Sequence, residues 1–410
     1  MRIIPKTVHF MRKIVLFDTE ESVGNLLPLS FTRPVSHLRV GVTTIAEKWQ
    51  RMMPGLYQLL VSEFLNDSFV FKLKRNDDAL FVASNILPSA PLVKEIEGLE
   101  KGEALFSGGG MIAFHGNLDQ FEGGGFDKRR EYSEPVSEIK YVFDIFLKNH
   151  EALVEDYFAL TRGRESRPLS ETNTLIGDVL DSDGRQMIFL EPGAKVEGAI
   201  LNVKDGPIYI GVDAEIMEGS CVRGPLALCN NAKVKMGAKI YGATTLGPYC
   251  KAGGELNNVV MTGYSNKAHE GFLGNAGIGE WCNIGAGVNA SNLKNDYSKI
   301  RIWNYRLHTF MRTDLQFCGL IMGDHSKAGV NCMFNTATVL GVGVNVHGAG
   351  FPRVFIPSFS EGSAAGGFSD VSLKKFFDIA SRVMNRRGLD IDESQKKVFE
   401  HVYAISQSHK

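Results

Sequence analysis

Between about residues 191 and 356 the chain repeats itself every six residues, and few folds accept such a pattern. Ile210, Ile216, Val222, Leu228, Val234, Ile240 and Leu246 follow one another at that interval, and all seven are aliphatic. Four residues after the first six of these stand Ala214, Ser220, Leu226, Ala232, Ala238 and Thr244, five of them small. The phase is lost near 252–270. It returns at Phe272, Ile278 and Ile284, and again at Met322, Ala328, Phe334, Leu340 and Val346. A period of six is neither helical nor the alternation of a simple strand. It predicts a parallel β-helix in which each hexad makes one flat side and one corner of a triangular coil. The aliphatic residue fills the interior, and the small one fits the narrowing corner. Three hexads then make a coil of about 18 residues. Coils stack at the ~4.8 Å strand spacing, so about nine of them form a prism roughly 40–45 Å long. Hexad prisms coil left-handed, an exception to the right-handed crossover rule. An all-β sandwich of short strands has no reason to keep a period of six.

The flanking segments differ. Residues 11–165 mix a short strand at 13–17, a helix around Thr43–Met53, a strand at Ala79–Val82, a helix at Pro91–Leu99 and a helix at 141–160, which reads as an α/β domain. Residues 166–190 read as an exposed connector, the β-helix occupies 191–360, and 361–410 form a helical tail. In that tail Ser369-Asp-Val-Ser372 caps a helix over Leu373–Asn385, Gly388 breaks it, and a second helix follows at Glu393–Ile405. Such a tail suits a solenoid, whose last coil needs a cover.

Composition narrows the function classes. The 45 Lys and Arg against 46 Asp and Glu leave a net charge of -1, which argues against a general nucleic-acid binder. No window approaches the ~18 apolar residues of a membrane span. Cys221, Cys229, Cys250, Cys282, Cys318 and Cys332 form no Cys-x-x-Cys pair, so they read as reduced, packed thiols of a cytoplasmic protein. The stretch Met1 to Phe17 lacks the long apolar core of a secretory signal, and Asp18-Thr-Glu-Glu21 follows at once. Met1 and Met11 are both candidate starts, since Lys13–Phe17 reads as a first strand.

Polar residues break the hexad rule in three linked stretches: Gly263-Tyr-Ser-Asn-Lys-Ala-His-Glu-Gly-Phe-Leu-Gly-Asn275, Ile278-Gly-Glu-Trp-Cys-Asn-Ile-Gly-Ala-Gly287 and Ser291-Asn-Leu-Lys-Asn-Asp-Tyr297. A local rule broken inside a regular fold marks a functional place. Together they resemble the acetyltransferase domain of the bifunctional GlmU-type family. Those enzymes join glucosamine-1-phosphate acetyltransferase to N-acetylglucosamine-1-phosphate uridylyltransferase. The resemblance implies that His269 is the catalytic base, taking the proton of the sugar amine as it attacks the thioester of acetyl-CoA. The alternative for His269 is a solvated loop histidine, which its neighbours disfavour. Asn283 and Asn292 match family asparagines near the substrate, and β-helix corners also favour asparagine. Lys251, Lys267 and Lys299 are candidates for the sugar phosphate, or else ordinary surface charges. Gly285, Ala286 and Gly287 fall where the family's backbone lies against acetyl-CoA. Phe272 and Leu293 stand where many members carry tyrosine, which leaves the amino sugar open. His308, His325 and His347 are spaced too unevenly for a metal site in the prism.

The N-terminal part departs further from the family. Val15–Gly24 replaces the usual glycine-rich loop, whereas Leu27-Pro-Leu-Ser-Phe-Thr-Arg-Pro-Val35 resembles the second half of the sugar nucleotidyltransferase signature. On that resemblance Arg33, Arg39 and Asn85 are nucleotide-binding candidates for UTP or another nucleoside triphosphate. Asp18 is a candidate for magnesium or the phosphate shell, or a plain loop aspartate. Gly108–Gly110 and Gly123–Gly125 lack the lysine of a phosphate loop and read as turns. Lys128-Arg-Arg130 reads as a solvated charge run. Three functions stand side by side: a bifunctional acetyl- and nucleotidyltransferase, a nucleotidyltransferase with a structural or regulatory β-helix, and a trimeric scaffold. The resemblance implies a homotrimer working on small sugar phosphates, with neither nucleic acid nor membrane as partner.

Overall fold

The computed structural model describes residues 11–409, so the alternative start at Met1 lies outside it. The described chain divides into two compact units. One holds residues 11–19, Pro34–His37 and Ile45–Glu138; the other holds Glu20–Arg33, Leu38–Thr44 and 139–409.

The first unit is an α/β layer. Its strands are β1 (Lys13–Phe17), β2 (Leu56–Leu60), β3 (Ala79–Ala83), β4 (Glu103–Ser107), β5 (Gly110–Gly116) and β6 (Lys128–Glu131), ordered β2-β1-β3-β5-β4-β6. β1 pairs parallel with β2 and β3, while β5 runs antiparallel to β3 and β4. Ile14, Val15 and Phe81 are buried, as their β-branched and aromatic side chains favour. The indole of Trp49, on the helix Ile45–Met52, donates to the Ile86 carbonyl at 2.8 Å. Gly108–Gly110 make the β4–β5 turn, and Gly123 ends the short helix Leu118–Glu122. The expected charge run Lys128–Arg130 is instead strand β6, parallel to β4. Lys128 and Arg130 both bind the buried carboxylate of Glu103 there. Lys128, the Glu100 amide and Arg130 hold that carboxyl down at about 2.

The second unit is the parallel β-helix. One face is a ladder of nine parallel strands, the last of which, Ser360–Ser363, also pairs antiparallel with Gly367–Asp370. The seven aliphatic hexad residues from Ile210 to Leu246 are 2% exposed or less, and the small residues between them are sealed as well. One expected position is corrected. Leu273, not Phe272, continues the interior column, because Leu273 pairs with Leu256 and Phe272 with the outward Glu255. Coils shorten in this stretch, so the phase slips by one residue. The connector also contributes: Thr174–Ile176 and Ile188–Leu190 are strands of the opening coils.

One corner of the prism carries Asp213, Asn231, Tyr249, Tyr264, Trp281, His325 and Phe359 with positive φ. Side chains there sit in a backbone region that usually favours glycine. The aromatic members offset this by stacking. Tyr249 and Tyr264 lie 5.2 Å apart between ring centroids, and Tyr264 and Trp281 4.2 Å apart.

The helix Leu373–Asn385 begins where expected, with Ser372 as its N-cap. Asp392 starts the helix Glu393–Ser406 with a full capping box. Phe376 of the first of these packs on Phe359, and Phe399 of the second packs on Phe376, so the pair covers late coils of the prism.

The segment Glu20–Arg33 folds onto the coils. Arg33 is buried and pairs with Asp324 and, at 3.2 Å, with Glu280. Burial pulls the guanidinium toward its neutral form, but Asp324 and Glu280 more than reverse this and keep it charged. Asp324 also accepts from Thr32 Oγ1 at 2.6 Å and from the Glu280 amide at 2.8 Å. Removing one partner of a buried pair strands the other. Asp324→Ala should therefore lower unfolding free energy by about 3–5 kcal/mol in denaturant titrations, and Arg33→Met combined with Asp324→Leu should recover most of that loss.

Candidate active site

The site lies where the prism loses its regularity. Along one face the outward residues Glu215, Lys233 and Lys251 pair in register from coil to coil, at 18-residue intervals. Lys251 then pairs with Asn266, Asn266 with Asn283, and Asn283 with Lys327. The first two of these steps are shorter than 18 residues. The last skips a long excursion that carries the hairpin Arg301–Asn304 with Thr309–Arg312.

The shortened coil throws the loop Ala268–Gly271 outward, and His269 at its tip is exposed. Gly253 and Gly254 let this loop lie flat against the coil beneath. A Cβ on Gly253 would meet the Ala268 carbonyl at 2.5 Å, and one on Gly254 the His269 carbonyl at 2.8 Å. Among the described residues no hydrogen bond restrains the His269 imidazole, which leaves it free to turn toward a substrate.

Lys267 is the unusual member. It pairs with Ala252, in the column where Val234 and Ile284 point inward, so its side chain enters the coil and is fully buried. Its ammonium donates to the carbonyls of His269 and Gly253. Burial pulls its pKa down to about 8, against a smaller opposing pull from Glu270. Lys267 was a candidate for sugar phosphate; the structure puts its charge inside, where it ties down the histidine loop.

A cavity of about 630 Å³ opens beside His269. Its walls bring together five of the residues singled out above, His269, Lys251, Asn283, Gly285 and Ala286. The sequence reading missed Asn266, Lys327, Arg386 and Arg387, which also face it. Asn266 and Lys327 had a signal, since they continue the lysine ladder once the short coils are allowed for. The two arginines close the helix Leu373–Asn385, far along the chain, and only the fold brings them here. The Asn266 side-chain oxygen is enclosed and unpartnered, an acceptor for a ligand hydroxyl or amine.

Other candidates lie elsewhere. Lys299 pairs with Asp314 at 2.5 Å in a separate cavity of about 820 Å³. Asn292 donates to Asn275 at 2.8 Å. Gly287 has φ +70°, and a Cβ there would strike Asn331, so close stacking of coils accounts for this glycine. Arg33 is engaged as described. Arg39 donates to the carbonyls of Thr262 and Val42. In the first unit Asn85 donates to Glu138 at 2.9 Å. Asp18 accepts from Ser84 and from the Val35 amide, and burial raises its pKa to about 6. Among the described residues no three His, Cys, Asp or Glu side chains gather as metal ligands. No helix among them is long and apolar enough to cross a membrane.

Residues 14–165 match the family model described as sugar nucleotidyl transferase. No curated protein matches the chain. Solved structures similar to it include UDP-N-acetylglucosamine acyltransferase from Campylobacter jejuni, at 13% identity and a TM-score of 0.23, over 52% of this chain and 94% of that one. The Francisella novicida enzyme of that name is similar at 10% identity and a TM-score of 0.22, over 59% and 83%. The acetyltransferase domain of PglB from Neisseria gonorrhoeae is similar at 10% identity and a TM-score of 0.17, over 60% and 89%. Likenesses this distant speak to neither substrate nor reaction.

Lys267 gives a test of the loop. Its folded pKa lies below its ordinary 10.5, so the folded state binds fewer protons than the unfolded one between about 8 and 10.5. Its contribution to stability therefore rises with pH across that window. Lys267→Met should fold, flatten the rise in unfolding midpoint over that range, and lower turnover by loosening His269.

Proposed function

We propose that the β-helix unit is a coenzyme A-dependent acyltransferase acting on an amino-sugar phosphate, with His269 as general base. The observation that carries this reading is the gathering of His269, Lys251, Asn283, Gly285 and Ala286 around one cavity. The amine of the acceptor attacks the acetyl thioester, and His269 takes the proton that the amine loses. Collapse of the adduct breaks the carbon–sulfur bond, and the proton on His269 passes to the departing thiolate. Asn283 is the polar group beside the reacting centre, and Gly285 and Ala286 form a low wall for the donor. Acetyl-CoA is the donor that the family resemblance favours, and glucosamine 1-phosphate the first acceptor to try.

The match over residues 14–165 favours a second activity, transfer of a nucleotidyl group to a sugar 1-phosphate with release of pyrophosphate. Asp18 and Asn85 are the candidates for it in the first unit. Asp18 offers one carboxylate, already bonded to Ser84 and Val35, so the residues present do not by themselves fit a magnesium site.

His269→Ala separates the two activities. Free-thiol release from acetyl-CoA with glucosamine 1-phosphate should fall about 10²–10⁴-fold, the usual worth of a positioned base. Pyrophosphate release from UTP and N-acetylglucosamine 1-phosphate should be unchanged. Wild-type protein that releases no thiol with any amino-sugar phosphate would sink the acyltransferase reading. The assembly that goes with this reading is a homotrimer, and light scattering of the full chain should give three times 45.1 kDa. A monomer at assay concentration would count against it.

A further inference from the structure

The charge ladder that passes the cavity is neutralised on either side of it and bare within it. Before the cavity, Lys233 pairs with Glu215 at 2.6 Å. Beyond it, Glu361 pairs with Lys375 at 2.5 Å. Between these points Lys251 and Lys327 face the cavity, and Arg386 and Arg387 face it from the end of the helix Leu373–Asn385. Among the described residues none of these four cations has a carboxylate within salt-bridge distance. Lys327 donates only to a backbone carbonyl, that of His325, at 2.8 Å.

Four like charges around one cavity repel one another. Lys251 registers this: burial and the nearby charges of Arg387, Lys235, Lys233 and Arg386 all push its pKa down. A helix C-terminus favours cations, which explains arginines at that end but not the bare lysines facing them. Arg387 lies 5.9 Å over the Tyr249 ring, but among the described residues no ring holds Arg386, Lys251 or Lys327 in this way. Tyr264 is covered on one face by Tyr249 and on the other by Trp281, so it has no free ring face for a flat ligand. What the cavity lacks is negative charge, and guanidinium and ammonium groups together match phosphate oxygens well.

We propose that the helix Leu373–Asn385 is a wall of the site rather than only a cap, and that Arg386 and Arg387 join Lys251 and Lys327 to bind a phosphate ester or diphosphate group. This deepens the acyltransferase reading and rests on it for the place of the anion in a reaction. The acceptor's phosphate and the phosphates of coenzyme A share this chemistry, and binding measurements distinguish them.

The test is titration calorimetry on the full chain, without turnover, with inorganic pyrophosphate, glucosamine 1-phosphate and coenzyme A as separate probes. Wild-type protein should bind pyrophosphate in a salt-sensitive way. Arg386→Gln with Arg387→Gln should weaken that binding about tenfold or more. Arg223→Gln, which removes a charge paired with Asp205 on an early coil, should leave it unchanged. If the double variant fails to fold, Lys251→Met with Lys327→Met takes its place with the same expected loss. Weakened glucosamine 1-phosphate binding assigns the subsite to the acceptor, and weakened coenzyme A binding assigns it to the donor; either supports the proposal. Wild-type protein that binds none of the probes, or variants that bind as wild type, would overturn it. His269→Ala should keep pyrophosphate binding while losing turnover, so failure of the base and failure of the anion site read differently.

Discussion

The interior of the prism is so narrow that each flat side sends only one or two side chains per coil into it. Every other feature of the second unit follows from that limit. The interior column must be aliphatic and the corner beside it small, which is why Ile210 to Leu246 and Ala214 to Ala238 are sealed from water. Anything larger or longer has to leave the prism. The loop of His269 and the hairpin at Arg301–Arg312 are such departures, and both leave where coils change length. The cavity beside His269 opens at the first of these exits.

Lys267 shows what breaking the rule entails. An ammonium in place of an alanine or isoleucine has to find acceptors inside a coil whose carbonyls are already paired along the stack. It finds them at the one turn that is not regular, the loop it helps to shape. Arg33 solves the same problem with carboxylates instead. Lys267 is held by its own loop and the coil before it, whereas Arg33 is held by carboxylates far along the chain and so couples its segment to the completed coils.

Much of this was legible in the sequence. A fixed period of six leaves no other fold to choose, and the helix Leu373–Asn385 was readable to the residue. His269, Lys251, Asn283, Gly285 and Ala286 were singled out and do share one cavity. The misses have physical causes. Phe272 replaced Leu273 in the reading because a periodic count cannot see a coil of fewer than 18 residues. Lys267 was read as a candidate for the sugar phosphate because its residue type outweighed its position in the column. Residues Glu20–Arg33 were assigned to the α/β domain because nothing local reveals that their arginine meets Asp324. Arg386 and Arg387 were not singled out, because only long-range packing gives them a cavity to face.

The aromatic corner stack and the covering helices also bear on the order in which the chain becomes competent. A parallel β-helix can grow coil by coil as the polypeptide leaves the ribosome, since each coil needs only its predecessor. The cavity does not share that freedom. Its last wall, Val383 with Arg386 and Arg387, follows all the coils of the prism along the chain. A product lost to premature termination a few dozen residues early would keep nearly the whole solenoid and still lack a finished site.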